Sequence, residues 1–379
     1  MTESAHSSLA EFIREKIRRD GPQSFAWFME QALYHPKYGY YSSDGAAIGQ
    51  RGDYFTNVSV GPLFGELLTI QFAEVWERLG QTDNFVIVEQ GAHHGQFARD
   101  VLECAQSCFP AFFSSLRYRI VEPFPRLQDR QSLKLQEFGD RIEWYTSLDE
   151  LMPFGGIHFS NELLDSMPVH LLVFTDSGWQ EKLVALDGDD FSFVRHPIVD
   201  PKLRKAAARL PPRESGYETE INLTMLEWIE NVAAKLQRGL VLAIDYGFSR
   251  EEFYAGHRNT GSLQVRAKHR LLASPFEQIG GADISAHVDW TGLAEQAHHC
   301  GFWIAGFADQ HHFFTGIISQ SAAGIEESDA KAKRELKTLL HPEMLGRSFQ
   351  AVALTKDVRF SSSLSGFKFA GDARVALGL

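Results

Sequence analysis

Two kinds of apolar pattern alternate along the chain. Runs of consecutive apolar residues, rich in β-branched side chains, are typical of strands buried on both faces of a parallel sheet. Such runs occur at residues 85–88, 118–122, 142–145, 156–160, 240–244, 302–308 and 349–354. Segments with helical spacing of apolar residues separate most of them, among them 96–105, 125–138 and 290–300. This order predicts an α/β fold with a doubly wound, mostly parallel, seven-stranded sheet.

Two further regions depart from that alternation. Near the start, 9–19 and 24–34 have helical patterns, with Ser24 as a candidate cap, and predict an N-terminal helical extension. From residue 169 the pattern changes to strict alternation, interrupted by turn residues at 176–178 and 187–189, which predicts a small antiparallel β insert. We therefore expect a helical and loop cap at 1–60, a core at 61–357 with the insert at about 170–220, and a C-terminal tail at 358–379. The tail is expected to be peripheral, and the charged helix at 326–340 to present a solvated face.

The first buried run leads into a glycine-bearing turn that carries the strongest chemical signal. It reads Glu89-Gln90-Gly91-Ala92-His93-His94-Gly95 and is followed by a helical pattern. Glycines in such a strand-turn-helix unit let the backbone approach a ligand closely. Because the spacing is G-x-x-x-G and not G-x-G-x-x-G with an acid about 20 residues later, a nicotinamide dinucleotide is disfavoured. The carboxylate before the glycines suits a ligand with an amino or sulfonium group.

Polar side chains also stand where other strands end. Glu122 ends the next strand, and an acid in that position typically takes ribose hydroxyls. Together with the glycine turn, it points to S-adenosylmethionine as the cofactor. Asn161 and Asp245 end two later strands, so four polar strand ends are expected at the carboxyl edge of the sheet. That layout is the one found in class I, Rossmann-like methyltransferases.

Composition and charge limit the location, partners and ligands that can be expected. Apolar residues make up 44% of the chain, the mean hydropathy is -0.22, and no apolar run reaches the length of a membrane span, which favours a cytoplasmic globular protein without a membrane partner. The net charge of -12 argues against nonspecific nucleic-acid binding and fits a basic partner or cationic substrate. Three His-His pairs, beginning at His93, His298 and His311, lack metal-ligand spacing, so we expect no metal. The sequence does not indicate the oligomeric state.

Several blocks resemble the MidA-type methyltransferases, from about residue 21 to residue 356. This family includes the mitochondrial complex I assembly factor that methylates an arginine of a complex I subunit. The blocks are Gly21-Pro22 with Ser24-Phe25, the stretch 34–41, Gly52-Asp53-Tyr54-Phe55-Thr56 with Phe64-Gly65-Glu66, Val121-Glu122, Asn161-Glu162 with Asp165 and Pro168, Asp245-Tyr246-Gly247, and 283–289. The resemblance implies methylation of an arginine on a partner protein.

Roles for individual residues follow from the motif and from the resemblance. We expect Gly91 and Gly95 to contact the cofactor through their backbone, Glu89 to hold its amino-acid end, and Glu122 to take its ribose. By resemblance, the lid side of the cofactor pocket is formed by Gly52, Asp53 and Thr56. Catalytic residues facing the substrate nitrogen would be Asn161, Glu162 and Asp165, with Asp245, His287 and Asp289 as further substrate-side candidates. An arginine acceptor is cationic, so a carboxylate such as Glu162 must orient it and accept charge as its proton leaves.

One departure keeps other hypotheses open. The family usually has Glu-Leu-Gly-x-Gly-x-Gly at the first strand end, and His93 replaces the middle glycine. A side chain there makes a positive φ costly and places an imidazole beside the cofactor path. A catalytically silent assembly or binding factor is therefore one alternative, and a small-molecule methyltransferase is another. For Asp165 a helix cap, and for His287 a structural histidine, are the simpler interpretations.

Overall fold

The computed structural model describes residues 2–42, 56–268, 270–320 and 330–379. Contacts divide the chain into two compact units that are each built from several segments. The first unit comprises Met1–Phe55, Asp165–Glu227 and Arg250–Val288, and the second comprises Thr56–Leu164, Trp228–Ser249 and Asp289–Leu379. This division differs from boundaries at 60 and 357, because the insert packs with the N-terminal helices and the tail packs into the second unit.

The second unit contains the predicted sheet. Its seven longer strands are β1 (Phe85–Gln90), β2 (Leu116–Val121), β3 (Ile142–Tyr145), β4 (Phe154–Asn161), β5 (Leu236–Phe248), β6 (Trp303–Asp309) and β7 (Phe349–Lys356). They lie in the order β6-β7-β5-β4-β1-β2-β3. Pairing is parallel from β5 through β3, and β7 runs antiparallel to both β5 and β6. The doubly wound, mostly parallel sheet is thus confirmed.

Helices pack against this sheet, and aromatic rings from helices and strands contact one another where they meet. Their bounds are α1 (Asn57–Val60), α2 (Leu63–Arg78), α3 (Gln96–Cys108), α4 (Pro110–Ser115), α5 (Pro125–Leu135), α6 (Trp290–His299), α7 (Gln310–Ile318), α8 (Ala330–Leu340) and α9 (Ala373–Ala376). Phe97 of α3 stacks on Phe159 of β4 with ring centroids 4.5 Å apart, and Phe72 of α2 meets both rings edge-on. Offset and edge-to-face contacts of this kind add to the free energy gained by burying the rings. The aromatic cluster fixes α2 and α3 against the strand ends that carry the candidate site.

The first unit confirms the helical extension and the antiparallel insert. Two helices, Thr2–Asp20 and Phe25–Tyr34, are separated by a short strand, and the Ser24 hydroxyl accepts a hydrogen bond from the Trp27 N–H at 3.1 Å as a cap. The insert strands are His170–Thr175, Gly178–Asp187, Asp190–Pro197 and Glu218–Ile221, joined in antiparallel pairs. Shorter elements complete the unit: helices Pro201–Ala207 and Arg250–Phe253, and strands Gln264–Ala267, Arg270–Leu271 and Asp283–Ser285. A further helix, Leu223–Lys235, crosses the boundary between the units.

The C-terminal tail was expected to be peripheral, and that prediction is wrong. Leu364, Phe367 and Leu377 of the tail are buried, and the Gln71 side chain of α2 accepts a hydrogen bond from the Gly366 N–H at 2.9 Å. The tail is therefore part of the core. In α8, Glu335 is only 6% exposed and accepts a hydrogen bond from the Leu63 N–H at the start of α2. One side of the charged helix α8 therefore packs against the protein. Among the described residues, no helix is both long and apolar enough to cross a membrane.

Candidate functional site

The turn after β1 passes through the left-handed region of φ at three residues. Gly91, His93 and Gly95 have φ values of 85°, 47° and 73°. The Gly95 N–H donates to the Ala92 carbonyl at 2.7 Å, which tightens the turn before α3 begins. Burial lowers the pKa of the His93 imidazole to about 3, so this side chain is uncharged at neutral pH. The predicted backbone conformation is therefore present, with a histidine in a position that favours glycine.

Glu89 lies at the end of β1 and is 4% exposed. One of its carboxylate oxygens, Oε2, accepts a hydrogen bond from the Tyr118 hydroxyl of β2 at 2.7 Å. Burial raises the pKa of Glu89 to about 8, and the nearby charges of Asp100 and Glu122 act in the same direction. The Glu89 carboxyl is thus mainly protonated at neutral pH, and its expected contact with the cofactor's amino-acid end stays a prediction.

Glu122 follows the last residue of β2 and is also 4% exposed. Its Oε1 accepts from the Phe124 N–H at 3.1 Å, and its Oε2 accepts from the Gln131 Nε2 at 3.1 Å. Burial raises the pKa of Glu122 to about 7, against the effect of these two donors, which favour the charged form. Glu122 therefore changes charge within the physiological range.

The end of β4 carries a closed network of three side chains. The Asn161 Nδ2 donates to the Glu162 Oε1 at 2.8 Å, and the Asn57 Nδ2 donates to the Asn161 Oδ1 at 3.0 Å. The Asn57 backbone N–H also donates to the Glu162 Oε1 at 3.0 Å. Glu162 itself has a φ of 53°, a value that few residues other than glycine adopt. The network fixes the Glu162 carboxylate and shows how its backbone conformation is maintained.

Asp245, on strand β5, supports the turn after β4 through hydrogen bonds from the backbone of that turn. It is 1% exposed, and its Oδ2 accepts from the Leu163 N–H at 3.0 Å and from the Leu164 N–H at 2.8 Å. Its Oδ1 accepts from the Tyr246 N–H at 2.8 Å. Because three backbone donors engage this carboxylate, Asp245 acts on the shape of the turn after β4.

Strand register brings these groups to one edge of the sheet. Glu89 is paired with Ile120 of β2 and with Phe159 of β4, so Glu122 and Asn161 each lie two residues beyond a partner of Glu89. Residues two apart on a strand share a face, and the carboxyl ends of parallel strands meet at the same edge. A Cβ atom added to Gly91 would lie 3.5 Å from the Leu163 Cδ1, so the turns after β1 and β4 are neighbours. The two turns and Glu122 form one candidate site.

The other predicted residues have a structural partner, belong to the first unit or lie outside the described residues. Thr56 caps α1 through a hydrogen bond from the Ser59 N–H at 3.1 Å, and Asp289 caps α6 through the Gly292 N–H at 2.9 Å. Asp165 and His287 belong to the first unit. Gly52 and Asp53 lie outside the described residues. The roles assigned to these six residues stay predictions.

The buried environment of His287 favours the neutral form of its imidazole, as is common for a structural histidine. Burial, with a smaller contribution from Arg258, lowers the pKa of its imidazole to about 4. Its backbone N–H donates to the Ser262 hydroxyl at 3.0 Å. No group of three His, Cys, Asp or Glu side chains among the described residues could hold a metal ion.

Sequence reasoning missed two residues of the site. Asn57 directly follows the motif ending in Thr56, and that adjacency was an available signal. Gln131 lies in the middle of α5, and its Nε2 donates to both the His93 carbonyl oxygen, at 2.8 Å, and the Glu122 Oε2. No sequence pattern distinguishes it from other glutamines of the helix.

The residues present fit the predicted cofactor. The left-handed turn leaves Gly91 exposed, so a ligand can approach its backbone without meeting a side chain. Glu122 supplies a carboxylate for ribose hydroxyls, and Glu89 adds a second carboxyl group beside the turn, mainly in its neutral form. The uncharged His93 adds no positive charge that would repel a sulfonium or an amino group.

Comparisons with known proteins show the family to which the chain belongs. The family model Methyltransf_28, which describes S-adenosyl-L-methionine-dependent methyltransferases, matches residues 67–308. The chain is 27% identical to the protein arginine methyltransferase NDUFAF7 homolog of Drosophila melanogaster, over 93% of this chain and 86% of that protein. It is 26% identical to NDUFAF7 of Homo sapiens, over 95% of this chain and 85% of the relative. Both relatives are named as mitochondrial.

A solved structure extends the agreement to three dimensions. A COG1565 superfamily member from Burkholderia thailandensis, bound to S-adenosyl-homocysteine, superposes with a TM-score of 0.85 at 27% identity. The match covers 96% of this chain and 95% of that one. The family resemblance and the cofactor prediction are both confirmed by these matches. The chain belongs to the family of S-adenosylmethionine-dependent methyltransferases, with the MidA-type proteins as its relatives.

Proposed function

We propose that this methyltransferase transfers its methyl group to an arginine side chain of a partner protein. The observation that carries the proposal is the carboxylate of Glu162, fixed by Asn57 and Asn161 beside the cofactor turn. Two relatives that match nearly the whole chain are named protein arginine methyltransferases. The net charge of -12 suits a basic polypeptide as partner.

The chemistry requires two things of the residues at this edge: they orient the acceptor nitrogen and accept its proton. The bound cofactor supplies an electrophilic methyl group on a sulfonium. An arginine guanidinium is cationic in water and presents planar N–H donors, which a carboxylate oxygen accepts. Glu162 therefore orients the acceptor nitrogen, and it takes the N–H proton as the nitrogen–methyl bond forms and the methyl–sulfur bond breaks.

Positioning accounts for the other residues. Asn161 holds the Glu162 carboxylate through its Nδ2, and Asn57 holds both through its side chain and its backbone N–H. A displacement that needs the nitrogen in line with the leaving sulfur depends strongly on such fixed geometry. Glu122 and the backbone of Gly91 and Gly95 bind the cofactor in this proposal, on the neighbouring strand ends.

A cytosolic location, expected from composition, also stays part of the proposal.

The test is a transfer assay with a tritium-labelled methyl donor and a cell lysate as the source of acceptor. We expect label in the protein fraction, recovered after acid hydrolysis as methylarginine. The Glu162→Gln variant should lose at least about 100-fold in transfer rate, as expected when a general base is removed. Its affinity for S-adenosyl-homocysteine should stay within about twofold, because Glu162 lies on the substrate side. Glu137→Gln, at an exposed glutamate of the same unit, is the matched control.

Four results would contradict the proposal. Label in small molecules would indicate a small-molecule methyltransferase, and label on another amino acid would exclude arginine. No transfer to any fraction, despite cofactor binding, would favour an assembly or binding factor. An active Glu162→Gln variant would remove the proposed base.

A further inference from the structure

Gln131 makes contacts that no role described so far requires. It lies on α5, its side chain is fully buried at 0% exposure, and all of its polar atoms have partners. The Nε2 atom donates to the His93 carbonyl at 2.8 Å and to the Glu122 Oε2 at 3.1 Å. The Oε1 atom accepts from the Trp144 Nε1 of β3 at 3.0 Å. One side chain therefore joins the turn after β1, the end of β2 and strand β3.

The packing around this side chain is equally specific. A Cβ atom added to Gly95 would lie 3.3 Å from the Gln131 Cγ and 3.5 Å from its Cα. The absence of a side chain at Gly95 thus allows α5 to approach the turn closely. Gln131 also reaches the carbonyl of His93, the residue of the turn whose positive φ is least favourable.

We propose that Gln131 is a positioning residue for the methyl donor, which holds the glycine turn and the Glu122 carboxylate in the single arrangement that accepts the ribose. The inference rests on the proposed role of Glu122. Gln131 acts through two donors on one nitrogen, so the position of the turn and the position of the carboxylate are coupled. A leucine at this position is apolar and one bond shorter, so it would keep apolar packing in the buried space and lose both contacts.

Electrostatics supports the coupling. Burial raises the pKa of Glu122, and the Gln131 amide opposes that shift by stabilising the carboxylate form. Glu89, to which the Tyr118 hydroxyl donates, interacts electrostatically with Glu122, and the other titratable or charged groups near the turn are His93 and His94 with Arg130 and Lys134 of α5. None of them is changed by a substitution at residue 131. Loss of the amide therefore raises the pKa of Glu122 further, and a smaller fraction of Glu122 is charged at neutral pH.

The experiment is calorimetric titration with S-adenosyl-homocysteine from about pH 5.5 to about pH 9, around the ionisation of a carboxyl with a raised pKa. Wild-type affinity should rise with pH as Glu122 ionises, because a carboxylate is the stronger acceptor for ribose hydroxyls. In Gln131→Leu we expect the midpoint of this rise to move up by about one pH unit, since a hydrogen bond to a charged group corresponds to about one unit of pKa. Affinity at pH 7 should fall by about fivefold, because the charged fraction of Glu122 falls from about one half to about one tenth when its pKa rises from about 7 to about 8.

A matched control separates this effect from general damage to the helix. Gln128 lies on α5 as well, and its Nε2 donates to the backbone carbonyl of Glu122 at 2.7 Å, away from the carboxylate. Gln128→Leu should leave the pH midpoint unchanged. Gln131→Asn, which keeps an amide on a shorter side chain, should move the midpoint in the same direction as Gln131→Leu by a smaller amount. It also serves if the leucine variant fails to fold.

Glu122→Gln distinguishes failure of the inference from failure of its premise. If Glu122→Gln leaves affinity and its pH dependence unchanged, the role of Glu122 is wrong. If Glu122→Gln weakens binding while Gln131→Leu and Gln131→Asn bind with the wild-type midpoint, the positioning role of Gln131 is wrong. Loss of the Gln131→Leu shift in the Glu122→Gln background would show that Gln131 acts through this carboxylate.

Discussion

The turns after β1 and β4 follow adjacent strands of one sheet, and both contain a residue other than glycine with a positive φ. The side chains that support the two turns differ in kind. Each passes through the left-handed region at a residue other than glycine, His93 with a φ of 47° and Glu162 with a φ of 53°. At the first turn a side-chain amide, from Gln131, donates to a backbone carbonyl. At the second turn a carboxylate, from Asp245, accepts from two backbone N–H groups.

The two turns also differ in the environment of their carboxyl groups. Around the first turn, burial raises the pKa of Glu89 to about 8 and that of Glu122 to about 7, so protonation there responds to pH. Around the second turn, the carboxylates of Asp245 and Glu162 are each engaged by several N–H donors. The end proposed to bind the cofactor therefore changes its charge with pH, whereas the end proposed to face the substrate is held in one geometry.

The largest effect is expected from removing the support of the second turn. Asp245→Asn leaves one acceptor oxygen where two now serve three backbone donors, so at least one buried N–H loses its partner. We expect the free energy of unfolding to fall by about 3 kcal/mol, since a buried backbone donor is left without an acceptor. Urea denaturation measures this, with Asp140→Asn at an exposed site as control. A loss no larger than that of the control would show that Asp245 does not support the turn.

A change at the first turn should instead alter stability as a function of pH. The pKa of Glu89 is raised from 4.5 to about 8 in the folded chain, so its stabilising effect is complete below pH 4.5 and is lost as pH rises through 8. Glu89→Gln removes this titration and keeps an oxygen that can accept from Tyr118. Between pH 6 and pH 8 the variant should gain about 2 kcal/mol relative to wild type. Parallel stability curves for the two proteins would argue against a protonated Glu89.

The smallest effect is expected at His93. Replacement by glycine relieves about 1 kcal/mol of left-handed strain, which the greater freedom of glycine in the unfolded chain largely offsets. Unfolding free energy should therefore change little. Affinity for S-adenosylmethionine, measured by calorimetry, should tighten by a few fold, because no imidazole stands beside the backbone path. His94→Gly is the control, since His94 has no positive φ. Equal or weaker affinity of His93→Gly would show that the imidazole contributes to binding.

Much of the fold could be predicted from sequence because its signals are local. Buried strands such as β1 and β5 are continuous apolar runs, and polar residues mark their ends at Glu89 and Asp245. The hairpins of the insert have turn residues at fixed spacing. These patterns need no knowledge of distant contacts, so the class of the sheet and the edge that carries the site were both predictable.

The features that the sequence did not predict depend on contacts between residues far apart in the chain. Gln131 meets the carbonyl of His93 across 38 positions, and Asp245 meets the Leu163 N–H across 82. Neither partner can be read from periodicity, since both bonds depend on how a helix or a neighbouring strand is placed. The burial of Glu335 and of the tail was missed for the same reason. A charged pattern gives the average exposure of a helix and not the partner of one side chain.

The antiparallel strand β7 has a consequence for how the chain is made. It is hydrogen-bonded between β5 and β6, yet both of those strands leave the ribosome before it. Until β7 emerges, β5 carries an open hydrogen-bonding edge on that side, and β6 has no strand on which to dock. Unpaired edges of this kind invite pairing with other chains. Synthesis of the nascent protein thus includes an interval in which a chaperone that covers β5 would protect the half-built sheet from aggregation.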